Sequence, residues 1–151
     1  MADKKVLEAL QIIVTDLAQQ ADGHEIQSRV FAAAGYTKLA DKYAEHATEE
    51  RGYVDKCIDR LLDLGCEVKL EAKKAGPVIS DPVEWVKHDL QVSKEGLAGL
   101  KEITLAAADD FTTYDILKEY YQDEEEDMYW GENQLELMEA IGVQNWLVKQ
   151  L

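Results

Sequence analysis

The chain is poor in proline and cysteine, with only two of each in 151 residues, and it holds nine glycines. So few chain-breaking residues argue against a loop-rich or all-β design. Two cysteines, Cys57 and Cys66, cannot form a disulfide framework. Positive charge is also scarce: 16 Lys and Arg stand against 31 Asp and Glu, a net charge of −15. A surface of that sign repels phosphate backbones, which excludes nucleic acid as an expected partner. No apolar run reaches the roughly 18 residues that a membrane span needs, so no membrane association is expected. The opening MADKK lacks the apolar core of a signal peptide, and the expected location is cytoplasmic.

What is present is helical periodicity. Apolar residues make up 46% of the chain, enough for a hydrophobic core in a single domain over 1–151. Asp3 can cap a first helix running from about Lys4 to Ala34, stopped by Gly35. Its stripe reads Leu7, Leu10, Val14, Leu17, Ala21, His24, Ser28 and Phe31, a 3-4-3-4 spacing that lines one face. A second helix is expected over Thr37–Leu64, ended by Gly65. The segment CEVKLEAKKAGPVIS has no sustained period and reads as a long connection. Asp81 and Pro82 then form a strong start for a third helix. Its stripe runs from Val83 and Val86 through Leu90, Ser93, Leu97, Leu100 and Thr104 to Ala107. Asp109 and Asp110 mark a break, and Thr112 or Thr113 is the expected cap of a fourth helix closed by Gly142. A short fifth helix is expected near Gln144–Leu151.

The expected fold is therefore all-α. It has four helices of roughly 28 residues, about 42 Å each, with short connections pairing the first with the second and the third with the fourth. One long crossover links the two hairpins, as in ferritin-like four-helix bundles.

The residues that interrupt the stripes carry the chemistry. In the second helix the stripe is Leu39, Tyr43, His46, Glu50, Tyr53, Cys57, Leu61 and Leu64. In the fourth it is Leu117, Tyr121, Glu124, Asp127 or Met128, Gly131, Leu135 and Met138. Glu50 and Glu124 thus fall mid-helix on inward faces, where an ionised carboxylate needs a cation, a hydrogen-bonding partner or a proton. Glu50 with Tyr53, and Glu124 with Asp127, lie three positions apart, one helical turn. Di-metal carboxylate bundles use the related Glu-x-x-His pair from two helices and one glutamate from each of the others. The same residues also fit a metal-free polar network held by Tyr53 or Arg51. His24 lies on the inward stripe of the first helix, where it is either a hydrogen-bonded core residue or a new ligand beside Glu50, Glu124 and Asp127. The run Asp123–Asp127 reads mostly as a solvated face, and Cys57 as core filler.

Three segments resemble the bacterioferritin family: RVFAAAGYTKLADKYAEHATEERGYVDKCIDRLLDLG, DLQVSKEGLAGL and DEEEDMYWGENQLELMEAIGVQNWL. The resemblance extends over nearly the whole chain. It places the family's two bridging glutamates on Glu50 and Glu124, and the two Glu-x-x-His histidines on Tyr53 and Asp127. The terminal glutamates of the first and third helices fall on Leu17, with Asp16 beside it, and on Ser93. The haem-ligating methionine falls on Arg51, so haem is not expected.

The resemblance implies an iron-storage or iron-homeostasis subunit with a weak or absent ferroxidase centre, and iron bound weakly or as a single ion is expected at the matched positions Glu50, Glu124, Asp127 and Tyr53, with His24 as an added ligand outside the family's set. It also implies self-association, as a two-fold dimer or a 24-subunit cage, or assembly with a catalytically active ferritin-type subunit. Two alternatives stay open: a remodelled metal-dependent oxidase, and a metal-free helical-bundle interaction module.

Overall fold

The computed structural model describes residues 3–151. It comprises α1 (Lys4–Ala33), α2 (Thr37–Asp63), α3 (Pro82–Ala106), α4 (Phe111–Ile141) and the short α5 (Val143–Val148). There is no strand among the described residues. Helices α1 and α2 pair as one hairpin and α3 and α4 as the other, in the expected order.

The helix ends follow local chemistry. The Asp3 carboxylate accepts from the Lys5 N–H, and Asp81 accepts from Val83 and Glu84 at the head of α3. Helices α1 and α2 both stop at a glycine with positive φ, Gly35 at 91° and Gly65 at 77°. Around them the Tyr36 N–H bonds the Phe31 carbonyl and the Cys66 N–H bonds that of Leu61, both at 2.9 Å. These bonds satisfy carbonyls that the helix would otherwise leave open.

The start of α4 departs from expectation. Its cap is Asp110, not Thr112 or Thr113. The Asp110 carboxylate accepts from both the backbone N–H and the hydroxyl of Thr113, while Arg60 of α2 donates to Asp110 and to Thr113, each at 2.8 Å. An ionised acceptor that also meets a guanidinium outcompetes a neutral hydroxyl as the cap. The inward face of α4 also differs by one position: Tyr120, not Tyr121, is buried.

The crossover, residues 64–81, runs along α1 under a row of glutamine clamps. Gln11 exchanges two hydrogen bonds with the backbone of Lys69, Gln19 donates to the carbonyl of Lys74, and Gln27 exchanges two with Ile79. The three glutamines recur every eight residues, so each sits about 12 Å further along the helix. They give an irregular segment the backbone partners that secondary structure would otherwise supply.

The apolar interior is divided. One cluster holds Val6, Leu10, Leu17, Val54, Leu61, Leu100 and Leu117. The other holds Phe31, Leu39, Tyr43, Trp85, Val86, Met138 and Trp146. Trp146 of α5 is fully buried, and its indole donates to Gln134, which ties the short helix onto the second cluster. Between the clusters lies a polar belt.

Candidate metal centre

The belt is built from one turn of each long helix. Helix α1 contributes Gln20 and His24, α2 His46 and Glu50, α3 Asp89, and α4 Glu124 and Asp127. Glu50 is 1% exposed and Glu124 5%. Gln20 connects them: its Nε2 donates to Glu50 Oε2 at 2.7 Å and lies 3.2 Å from Glu124 Oε1. The other Glu50 oxygen is 2.5 Å from His24 Nδ1, and His24 Nε2 is 2.7 Å from Asp89 Oδ1. Both imidazole nitrogens therefore face carboxylate oxygens, so His24 donates from both as an imidazolium.

The electrostatics reflect crowding of acids in a dry interior. Burial pushes the Glu124 carboxyl up to about 7, with the charge of Glu50 adding to it. Asp127 is pushed up to about 9, first by burial and then by Glu124, Asp123 and Glu49. Glu50 is also raised by burial, against the hydrogen bonds of His24 and Gln20. Burial alone would lower His24, but Asp89 and Glu50 outweigh it and hold the ring well above its usual value. His46 shows the opposite outcome: burial, followed by the charge on His24, takes it down to about 3, and it stays neutral. Two titratable rings pushed apart by one environment are a common mark of functional sites.

Glu50, Glu124 and His24, all singled out from the sequence, form one network. Asp127 lies beside it, with Oδ1 3.3 Å from His46 Nε2. Tyr53 is outside it. Its ring packs 5.2 Å from Tyr120, and its hydroxyl points at the Glu119 carbonyl, 3.5 Å away. Leu17 is buried in the first apolar cluster, and Ser93 is buried on α3. Asp16 is half-exposed and paired with Lys73 of the crossover. Arg51 is occupied by Asp22 and Glu25 at 2.5 and 3.0 Å. The acidic run is not a uniformly solvated face: Glu124 is buried, Asp123, Glu125 and Asp127 are partly buried, and only Glu126 is exposed. Asp123 and Asp127 lean inward against Glu49, which burial and then the charge of Asp123 push up to about 7.

Gln20 and Asp89 were not among the residues expected in the site. The spacing held a signal for each. Gln20 sits between Leu17 and His24 at a 3-4 interval, and Asp89 is four residues from both Trp85 and Ser93. Neither lay on the expected stripes, which ran one position to the side through Ala21 and Leu90.

Comparison with known proteins agrees with this architecture. A family model described as a ferritin-like domain matches residues 7–141. A bacterial ferritin of Neisseria meningitidis serogroup B is 32% identical, with 99% of this chain and 98% of the relative covered. A bacterial ferritin of Pseudomonas aeruginosa is 31% identical over 97% of both chains. One of Synechocystis sp. is 30% identical, covering 97% of this chain and 96% of the relative.

Proposed function

This chain belongs to the ferritin family, and on that footing we propose that it is an iron-storage or iron-homeostasis subunit whose own ferroxidase chemistry is weak or absent. The observation that carries this is the state of Glu50 and Glu124. Their inward oxygens are engaged by the Gln20 amide and the His24 ring. A pair of ferrous ions needs those oxygens as bridges and further carboxylates as terminal ligands to balance charge. The side chains around the pair do not fit two ions. Leu17 has no donor atom, Ser93 offers a single neutral hydroxyl, and the Tyr53 phenol is turned to a backbone carbonyl. Tyr53 is moreover held protonated by burial and by its acidic neighbours. Iron is accordingly cargo for this subunit, and its acidic surface draws cations towards it.

Storage requires an enclosed volume, so we place the chain in a homo-oligomer built from two-fold dimers, up to the 24-subunit cage, alone or with a catalytically active ferritin-type subunit, in the cytoplasm. Exposed apolar side chains such as Leu62, Leu70 and Phe111 are the kind of surface that subunit contacts cover. A remodelled metal-dependent oxidase is the second reading, and the presence of His24 within the carboxylate network favours it.

Native mass and iron content measured on one sample, followed by oxygen consumption with ferrous iron, test the proposal. The expected result is a large assembly that takes up iron while oxidising it little faster than buffer does. Leu17→Glu, Tyr53→His, Ser93→Glu and Asp127→His combined should raise that rate. Rapid turnover by the unmodified protein, with two irons per chain, would overturn the weak-ferroxidase reading. A monomer that takes up no iron would overturn storage and favour the metal-free interaction module.

A further inference from the structure

We propose that His24, His46 and Asp89 form a mononuclear binding site for a divalent transition-metal ion, separate from the Glu50–Glu124 pair. These three residues can each present one donor atom within 4.8 Å of the other two. They come from three helices, and none occupies a position to which the family resemblance assigns an iron ligand.

His46 is the residue that points to a ligand. It is 1% exposed, and neither ring nitrogen has a hydrogen-bond partner. Asp127 Oδ1 is 3.3 Å away but not aligned for a bond. A buried polar group left without a partner in an otherwise packed interior calls for an explanation, and a coordinated ion supplies one.

The surroundings match what a metal site requires. A ligating histidine commonly donates its second ring N–H to a carboxylate, which fixes its orientation and raises its basicity. His24 does this already: Nδ1 faces Glu50, whose other oxygen is held by Gln20. Nε2 and Asp89 Oδ1 then face each other at 2.7 Å. A divalent ion takes the place of the proton between them, and that proton leaves to solvent. Two imidazoles and one carboxylate make a donor set suited to ferrous iron, cobalt or zinc and poorly suited to calcium or magnesium.

The carboxyl groups of Glu50, Asp89, Glu124 and Asp127, from three helices, crowd the same belt, so a cation held there has acidic groups on several sides. The rings of Tyr43, Trp85 and Trp130 pack against the two histidines with centroids 5.4–6.1 Å apart, and shield the site from bulk water. A cleft of about 410 Å³, walled by Asp16, Asp22 and the crossover, reaches His24 and Asp89 and gives access to the site.

Cobalt(II) titrated into the chelator-treated full-length protein tests this through its visible ligand-field bands. One ion per chain is expected, displaced by zinc and not by magnesium. His46→Gln and Asp89→Asn should each weaken binding at least about 10-fold, with helicity retained by circular dichroism. No band from folded protein, or a band unchanged in both variants, would overturn the site. So would loss of the band in Glu124→Gln but not in His46→Gln, which would assign the ion to the glutamate pair. The measurement does not depend on storage: iron uptake could fail with the cobalt site intact, and the reverse.

Discussion

The side-chain amide of Gln27 holds both backbone groups of Ile79, donating to its carbonyl at 2.9 Å and accepting from its N–H at 2.8 Å. Gln27 is fully buried, so no water can take over when the amide is removed. Gln27→Leu should cost roughly 1–3 kcal/mol, the penalty for leaving buried backbone groups unpaired. Gln11→Ala, which loosens a comparable but exposed clamp on Lys69, should cost less than about 0.5 kcal/mol. Urea unfolding of both variants checks the contrast, and equal losses would mean that burial does not set the strength of the clamps.

Gln20 bridges two buried carboxylates. Gln20→Leu removes the donor and leaves both with less solvation. A loss of about 1.5–3 kcal/mol is expected at neutral pH, the range for hydrogen bonds to charged groups. Gln20→Leu combined with Glu124→Gln should be less damaging than Gln20→Leu alone, because one of the stranded charges is gone. Additive losses in this double-mutant cycle would show that the bridge carries no coupling.

Asp110 provides a test by pH. The Thr113 hydroxyl bond lowers its carboxyl first, with the Thr113 N–H and Arg60 contributing. A carboxyl whose folded pKa lies below its unfolded value stabilises the fold above the unfolded value, and that stabilisation is lost as pH falls through the folded one. Asp110→Ala should therefore destabilise by about 1 kcal/mol at pH 6. The gap from wild type should shrink below about pH 4, where the unfolded carboxyl begins to titrate. A gap that stays constant down to pH 2 would contradict this account.

Glycines inside helices should respond differently to alanine. A Cβ on Gly131 would meet Leu90 Cδ1 at 3.2 Å across the α3–α4 contact, while one on Gly96 meets nothing within 4 Å. Gly96→Ala should raise stability by about 0.5–1 kcal/mol through helix propensity. Gly131→Ala should gain less or lose stability. Melting temperatures of the two variants decide it, and an equal rise would show that Leu90 yields freely.

The two thiols should label at separate rates. Cys57 is fully buried, and burial pushes its thiol up to about 12, whereas Cys66 is partly exposed at the end of α2. One equivalent of a thiol reagent should react with the native protein at pH 8 and a second only on unfolding, as counted by intact mass.

Much of this fold is legible in the sequence because helices are governed by local rules. The stops at Gly35 and Gly65 need only a residue that tolerates positive φ, and the Asp81-Pro82 start needs only its own first turn. The inward placement of Glu50 and Glu124 follows from helical period alone. The family resemblance likewise rests on the order of side chains along each helix.

Other features are set by contacts between distant segments. Asp110 displaces the threonines as cap because Arg60, 50 positions earlier, reaches it from another helix. Tyr120 turns inward in place of Tyr121 because the rotation of α4 is settled by what it packs against. Gln11, Gln19 and Gln27 look like ordinary polar residues until the crossover passes over them. His24 could be read from the sequence as a belt residue, but its role depends on Glu50 and Asp89 arriving at either ring nitrogen, 26 and 65 positions away. Helical period determines which residues face inward, since it repeats at every turn. Which of them meet is decided by the relative rotation and stagger of four helices, and that is a property of their packing together.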